Sequence, residues 1–183
     1  MPQRLQRTRP ALPRFAVAWF PRFEGIDRVE AFRRQHDPAA ALIPAHVSLV
    51  FPFPSALSRL QLETHVRKVL SRWPPIPVTF RRVRTEANEF VFLMASRGAA
   101  SIAALHDRLY TRSFAPHLRK DIPYEPHITL ARCEEWWKLE MALAQAETVF
   151  SGEFEEVMRE ATLLGVGPDG RIERLKTFDL DTA

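Results

Sequence analysis

Two short runs of this chain place a histidine two residues before a hydroxyl residue, each within an apolar stretch. The first run is HVSL at residues 46–49, and the second is HITL at residues 127–130. Of the six histidines in the chain, only His46 and His127 have a hydroxyl residue at the second following position. Burying an unpartnered imidazole or hydroxyl costs free energy. These groups are therefore either paired within a core or placed on a face that is not core.

Both runs are β-prone and closely follow a proline, which predicts two short strands with alternating faces. Each imidazole then shares a face with its hydroxyl, opposite an apolar face. The polar faces contain His46, Ser48 and Val50 in the first strand, and His127, Thr129 and Ala131 in the second. The apolar faces contain Val47, Leu49 and Phe51, and Ile128 and Leu130. Imidazole and hydroxyl lie about 7 Å apart along each strand, a gap that a tetrahedral phosphate can bridge.

Two imidazoles and two hydroxyls that face each other across a cleft could cleave a phosphodiester. A neutral imidazole can take a proton from the attacking water, and a protonated imidazole can give one to the departing oxygen. Histidine titrates near pH 6.5, so both forms exist around neutral pH. The hydroxyls of Ser48 and Thr129 would donate hydrogen bonds to the non-bridging phosphate oxygens. Such a site requires no metal ion and no other cofactor.

Composition is that of an ordinary folded domain. The chain has 183 residues, of which 46% are hydrophobic and 26% charged, and a formal net charge of +4 that mildly favours an anionic partner. Its single cysteine, Cys133, excludes an intrachain disulfide and a cysteine metal cluster. The sequence has no signal-peptide pattern and no apolar run of membrane length. We therefore expect a cytoplasmic protein with no membrane association and no obligate protein partner.

The hydrophobic pattern alternates between strands and helices. It predicts strands at residues 15–20 and about 45–51, and strand pairs within residues 77–95 and 153–180. Strand pairs of this kind indicate an α+β fold with antiparallel sheets rather than a doubly wound parallel sheet. The elements fall into two similar halves, each with one motif strand. We predict a disordered basic arm at residues 1–14 and a single domain at residues 15–183.

Two helix details follow from the same pattern. Ser55 is a candidate N-cap for the helix that follows the first motif strand. In the helix after the second motif strand, helical spacing puts Trp137, Met141 and Ala144 on one stripe that we expect to pack inward.

The paired motifs, within HVSLVFPF and YEPHITLAR, resemble those of the 2H phosphoesterase superfamily, the group of 2′-5′ RNA ligase-like proteins and cyclic nucleotide phosphodiesterases. The resemblance covers roughly residues 15–180. It implies a bilobal fold in which two antiparallel sheets with outer helices, in pseudo-duplicated halves, flank a central cleft. It also implies hydrolysis of 2′,3′-cyclic phosphates to 2′-phosphates, or cleavage and joining of 2′-5′ linkages in RNA.

The resemblance also implies roles and a partner. His127 would activate water and His46 would protonate the 3′ leaving oxygen, although another substrate or direction could reverse these roles. Ser48 and Thr129 would bind the phosphate. The partner implied is a nucleotide or an RNA end that bears a phosphodiester.

Three further residues could contact a substrate. Tyr124 and Phe53 flank the motifs and could stack on a base, although an aromatic residue beside a strand is often core. Strict alternation sends Arg132 away from the polar face, unless a bulge turns it inward. The basic stretch at residues 81–84 is interpreted as a solvated strand face.

Other interpretations of the motif residues stay open. The two histidines could be structural, and the remaining four histidines are interpreted as surface or helix residues. Two imidazoles could also hold zinc, but the nearby Glu125 is poorly placed as a third ligand. Finally, the same fold could serve as a binding module that holds a nucleotide or RNA end without turnover.

Overall fold

The structure of the protein is a computed structural model that describes residues 12–181. Most of the predicted basic arm, residues 1–11, lies outside the described residues. The last residue of that predicted arm, Arg14, is already the first residue of a strand. From residue 12 to residue 181, no helix is both long and apolar enough to cross a bilayer.

Strands and helices alternate along the chain. The strands are β1 (Arg14–Trp19), β2 (Val47–Pro54), β3 (Ile76–Glu86), β4 (Phe90–Ala95), β5 (His127–Arg132), β6 (Phe154–Met158), β7 (Glu160–Val166) and β8 (Ile172–Asp179). The helices are α1 (Ile26–His36), α2 (Arg59–Leu70), α3 (Ala99–Leu109) and α4 (Trp136–Val149). Two short 3₁₀ helices cover Pro38–Ala41 and Arg112–His117.

The strands form two four-stranded antiparallel sheets. The first sheet has the order β2-β1-β7-β8 and the second has the order β5-β4-β3-β6. The strands that carry the two motifs, β2 and β5, are therefore edge strands, and they contact each other. Helices pack against these sheets, with α3 on β2, α1 on β5 and α4 on β3. The predicted α+β fold with two antiparallel sheets and outer helices is confirmed.

Each sheet contains strands from both halves of the sequence. The first half supplies β1 and β2 to one sheet and β3 and β4 to the other. In the second half the chain changes sheet at Arg159, between β6 and β7. The single strand pair predicted within residues 153–180 is therefore incomplete, because β6 pairs with β3 whereas only β7 and β8 form a hairpin.

The start of α2 differs from the predicted one. Its N-cap is Ser58, whose side chain accepts a hydrogen bond from the backbone of Gln61 while the Gln61 side chain accepts one from the backbone of Ser58. This capping box needs a glutamine or glutamate three residues after the N-cap. Ser55 has Ser58 at that position, which explains why the prediction of Ser55 as N-cap is wrong.

The buried stripe of α4 also differs from the predicted one. Leu139, Ala142 and Ala146 face the core. Trp137 and Met141 are instead exposed, with 47% and 54% of their surface accessible. Helical spacing alone cannot distinguish the two stripes, because both contain apolar residues.

Candidate active site

The motif strand β2 departs from strict alternation. Opposite β1, Ser48 pairs with Ala18, Val50 with Val17 and Phe53 with Phe15, so β2 contains extra residues. Leu49 and Val50 both turn to the core as a result. The prediction that Val50 shares the face of the motif side chains is therefore wrong, and Phe51 lies beside Ser48 instead.

The phenyl ring of Phe53 does not reach the cleft. It is 3% exposed and packs against Phe114 and His117. The expectation that Phe53 stacks on a substrate base is therefore corrected, since this side chain belongs to the hydrophobic core.

Side chains of α3 and the residue after it bind the irregular backbone of β2. The carbonyl oxygen of Leu49 accepts a hydrogen bond from His106 Nδ1 (2.9 Å). The backbone N–H of Phe51 donates to Tyr110 Oη (2.9 Å). A bulge disrupts the ladder and leaves backbone groups to be satisfied elsewhere. His106 is 2% exposed, so it is a buried residue with this function rather than a surface residue.

Tyr124 connects the loop before β5 to β2. Its hydroxyl donates a hydrogen bond to the carbonyl oxygen of Ser48 (2.8 Å), and its ring stacks on His106 at 3.7 Å. Burial raises the pKa of Tyr124, so the hydroxyl stays protonated and remains a donor. Tyr124 also lines the cavity that holds Ser48, His127 and Thr129, and its contact with a substrate stays a prediction.

A second bulge lies in β5. Thr129 pairs with Phe92 and Ala131 pairs with Val91, which shifts the register by one residue. Ala131 therefore turns into the core, and Arg132 pairs with Phe90 on the face that also holds His127 and Thr129. The bulge thus reverses the orientation that strict alternation predicts for Arg132. Its guanidinium lies over the ring of Phe90 and forms an ion pair with Glu89.

Both motif imidazoles are held by the same type of contact. His46 Nδ1 lies 2.8 Å from the carbonyl oxygen of Pro44, and His127 Nδ1 lies 2.6 Å from that of Glu125. A carbonyl can only accept, so each Nδ1 carries the hydrogen. The Nε2 atom of each neutral ring is then left as a proton acceptor, as general acid–base chemistry needs.

The cavity beside β5 has a volume of about 480 Å³. Its lining includes His127, Thr129 and Ser48 from the two motifs. His46 is not part of this lining; it lies immediately before β2, the strand that contacts β5. The structure therefore brings three of the four motif residues into one cavity, and His46 adjoins the strand that supplies Ser48 to it.

Burial dominates the protonation of both rings. It lowers the pKa of His46 to about 4, assisted by the charges of Arg33 and His127 and opposed by the hydrogen bond to Pro44 and by Asp37. Burial likewise lowers the pKa of His127, opposed by the hydrogen bond to Glu125. Burial disfavours the charged imidazolium. Both rings are therefore neutral at neutral pH in the ligand-free protein.

Helix α1 holds the loop that precedes His46. Arg33 is 1% exposed and donates to the carbonyl oxygen of Ile43 (3.0 Å) and to Asp37 Oδ2 (2.8 Å). Glu30 Oε1 accepts a hydrogen bond from the backbone N–H of Ala45 (2.6 Å). These charged side chains fix the backbone on both sides of Pro44, whose carbonyl orients the imidazole.

Ten of the fourteen cavity residues were not among the predicted site residues, and they include Phe51, Phe90, Phe92 and Arg84. The ring of Phe92 stacks on His127 with a centroid distance of 3.7 Å and an interplanar angle of 16°. Arg84, interpreted from sequence as part of a solvated strand face, forms ion pairs with Glu125 and Glu86 at the edge of the cavity. The pairing of β4 with β5 and of β3 with β4 brings Phe90, Phe92 and Arg84 to the site, whereas Phe51 reaches it through the bulge in β2.

The donor set of the site does not resemble a metal centre. The carboxylate of Glu125, the candidate third ligand beside His127, binds Arg84. Between residues 12 and 181, no three His, Cys, Asp or Glu side chains are grouped so that they could hold a metal ion.

Solved structures share this architecture. Escherichia coli LigT in its apo form matches with a TM-score of 0.61 at 20% identity, covering 92% of this chain and 98% of LigT. The protein TT0787 of Thermus thermophilus matches with a TM-score of 0.64 at 16% identity, covering 91% of this chain and 97% of TT0787. The protein described here therefore has a LigT-like α+β fold.

The sequence defines the family more narrowly. The model of the 2′-5′ RNA ligase superfamily matches residues 21–158. This chain therefore belongs to the 2′-5′ RNA ligase superfamily, which groups with the 2H phosphoesterases.

Curated relatives point to the same family. A protein of Geobacillus kaustophilus, whose name assigns it provisionally to the phosphoesterases, is 24% identical over 122 residues, covering 65% of this chain and 69% of the relative. A similarly named protein of Halalkalibacterium halodurans is 27% identical over 122 residues, covering 64% and 69% respectively.

Proposed function

We propose that this protein is a phosphoesterase that hydrolyses 2′,3′-cyclic phosphates to 2′-phosphates, or cleaves and joins 2′-5′ linkages, in RNA or nucleotides. One observation carries the proposal. Two imidazoles, one at the start of β5 and one immediately before β2, are bound alike through Nδ1 and keep Nε2 for proton transfer. Such a pair supplies both the base and the acid of phosphodiester hydrolysis without a metal ion.

In the proposed step on a cyclic phosphate, a water oxygen forms a bond to phosphorus while the bond from phosphorus to the 3′ oxygen breaks. Neutral His127 accepts the proton from water, and protonated His46 donates its proton to the 3′ oxygen. The products are a 2′-phosphate and a free 3′-hydroxyl, with the two protonation states of the pair exchanged. This assignment of base and acid follows the family resemblance.

The remaining polar groups of the cleft bind the phosphate and the nucleoside. Ser48 and Thr129 would donate to the non-bridging oxygens, whose charge grows in the transition state. Tyr124 in the cavity wall would contact the base or sugar, as would Arg132, which lies outside that lining but on the same strand face as His127 and Thr129. The phenyl rings of Phe51 and Phe90, which also line the cavity, provide apolar surface for a base.

Nucleotide ligands in related structures support this substrate class. Crystal structures of E. coli LigT contain 3′-AMP, NADP⁺ or ATP. A cavity of about 480 Å³ with aromatic walls and convergent polar groups suits a ligand of nucleotide size.

The direct test is an assay of 2′,3′-cyclic nucleotides and 2′-5′-linked dinucleotides in the presence of excess chelator, with product analysis. We expect turnover that survives the chelator and is lost in His46→Ala and His127→Ala. Tight nucleotide binding without turnover would instead identify a binding module. Activity that disappears with chelator and returns with zinc would identify a metal enzyme.

A substrate with sulfur at the 3′ leaving position tests the two roles. A thiolate leaves without protonation, so the variant that lacks the acid should recover most of its activity on this substrate, whereas the variant that lacks the base should not. We expect recovery in His46→Ala. Recovery in His127→Ala alone would reverse the assignment.

A further inference from the structure

The C-terminal ends of α2 and α3 enclose a second cavity, of about 520 Å³. Four cationic side chains line it, together with a few neutral groups, and no carboxylate does. The lining consists of Lys68, Arg72, Arg108, Arg112, His65, Val69, Trp73 and Thr111. We call this cavity the basic pocket. None of its residues lines the cavity beside β5.

The four cations of the basic pocket are exposed, and within residues 12–181 none of them forms an ion pair. Residues 1–11 contain no aspartate or glutamate that could pair with them. Elsewhere on the surface, some arginines pair with a carboxylate, as Arg81 does with Glu153, whereas others, such as Arg97 and Arg159, form no ion pair within residues 12–181. The basic pocket differs because it gathers four such cations in one lining.

The negative ends of the two helices offset only part of the positive charge of the basic pocket. Each helix C-terminus carries roughly half a negative charge and favours a nearby cation. Two helix ends therefore balance about one of the four positive charges. The remaining excess of positive charge favours an anionic ligand in the pocket.

The backbone at Arg112 supports a binding role. Arg112 begins a 3₁₀ helix with a φ of 53°, in the left-handed region that non-glycine residues rarely adopt. Backbone strain of this type is stored at ligand sites more often than elsewhere. The residue with this strained backbone, Arg112, is also one of the cations that line the basic pocket.

The chemistry of the pocket favours RNA over a membrane surface. Three of the four cations are arginines, whose planar forks bind phosphates bidentately, and Trp73 adds an aromatic surface for a base. The large exposed hydrophobic residues of the described chain, which a membrane surface would engage, all lie outside the lining: Leu12, Leu60, Ile122, Trp136, Trp137, Met141 and Val149.

We propose that the basic pocket binds backbone phosphates of an RNA strand, as a second site separate from the cleft that would hold the strand's end. This inference rests on the proposed function in one respect: the proposed function is the reason for choosing RNA as the polyanion. It predicts that longer substrates bind more tightly than mononucleotides.

The test measures binding of a fluorescently labelled single-stranded RNA of about 12 nucleotides, with ordinary hydroxyl ends, by anisotropy over a range of salt concentrations. Each phosphate contact on a single strand contributes about −0.7 to the slope of log affinity against log salt. Arg72→Gln/Arg108→Gln should therefore flatten the slope by about 1.4 and weaken binding about 10-fold or more at low salt. Arg97→Gln/Arg159→Gln is the matched control, since it removes two exposed arginines that lie outside both cavities and form no ion pair within residues 12–181.

A second readout separates this inference from the proposed function. In the basic-pocket variant, KM for a 12-nucleotide RNA with a cyclic-phosphate end should rise about 10-fold, while kcat/KM for a cyclic mononucleotide stays unchanged. If the wild type binds RNA through the pocket but hydrolyses nothing, only the proposed function fails. Equal effects of the pocket and control variants, or binding to anionic vesicles without binding to RNA, would overturn the inference.

Discussion

The two sides of the cleft hold their histidines by the same contact but support that contact in different ways. His46 and His127 each donate from Nδ1 to a carbonyl two residues earlier. On the His46 side, buried charged residues of α1 bind the preceding loop, with Arg33 as their centre. On the His127 side, the ring lies flat against Phe92 of the neighbouring strand, and the nearby ion pair of Arg84 with Glu125 is exposed.

This difference shows which features of the repeated motif the chemistry depends on. The carbonyl contact, the edge-strand position and the hydroxyl recur on both sides, whereas the supports come from a helix on one side and a strand on the other. The features shared by both sides are therefore the ones that orient each imidazole, and either kind of support can hold them.

The largest effect is expected from removing the imidazoles themselves. His46→Ala and His127→Ala should each lower kcat by about 10²–10⁴-fold. Because the rings act as a pair, the double variant should be little worse than the poorer single variant. The kcat values of the three variants on a 2′,3′-cyclic nucleotide test this expectation. A loss in the double variant equal to the product of the two single losses would contradict paired action.

Arg33→Met should have the next largest effect, and it should act only on the His46 side. It leaves Asp37 buried without its partner, which costs about 3–5 kcal/mol of the free energy of unfolding in urea titrations. It also releases the carbonyl of Ile43 and removes a cation that lowers the pKa of His46. The pKa of His46, followed by NMR, should therefore rise while that of His127 changes little.

Arg33→Met/Asp37→Asn is the control for this variant. The amide keeps a side-chain oxygen for the N–H of Ala39 and removes the uncompensated charge, so most of the stability should return. Activity should stay reduced by about 10-fold or more, because the loop is still unanchored. Full recovery of kcat would show that Arg33 supports only stability.

The pH dependence of kcat/KM reports on the ligand-free enzyme, and that of kcat reports on the enzyme with bound substrate. We expect the two profiles to differ. A working pair holds one proton between its two macroscopic pKa values. The pKa of His46 is lowered to about 4 and that of His127 is also lowered, so kcat/KM should peak below pH 6.5. A bound phosphate anion favours imidazolium, so kcat should peak at higher pH. Superimposable profiles for kcat/KM and kcat would contradict this electrostatic description.

The smallest effect is expected at Phe92. Phe92→Leu removes the stacked ring beneath His127, a contact of about 1 kcal/mol, and should lower kcat/KM about 5-fold. Phe20→Leu is the matched change on the other side, since the ring of Phe20 lies 6.1 Å from His46 and is tilted. Phe20→Leu should lower kcat/KM less than Phe92→Leu does. Equal losses of kcat/KM would contradict the inference that the two histidines are supported differently.

Sequence reasoning predicted the fold class and the motif strands because both depend on local patterns. Hydrophobic period and turn residues mark strands, and repetition of His-x-Ser/Thr marks the motifs. It failed at the bulges of β2 and β5, where each inserted residue changes which side chains share a face. Phe51 and Arg132 reach the motif face for this reason, and no local pattern distinguishes the bulges from regular strand.

The residues that hold the motif segments in place were not predicted from the sequence, for another reason. Arg33, His106 and Phe92 contact the motifs only after distant segments have packed together. Each has an ordinary local interpretation, as a helix cation, a helix histidine or a strand hydrophobe. Their roles depend on which segments pack together in the tertiary structure, and a single sequence does not give that information.

The order of strands has a consequence for how the protein is made. β1 lies between β2 and β7, so one of its edges must wait for a partner from the far end of the chain. During synthesis that edge remains open until most of the polypeptide has left the ribosome, and open strand edges invite association with other chains. Each sheet thus needs strands from both halves of the repeated sequence before its strand order is complete.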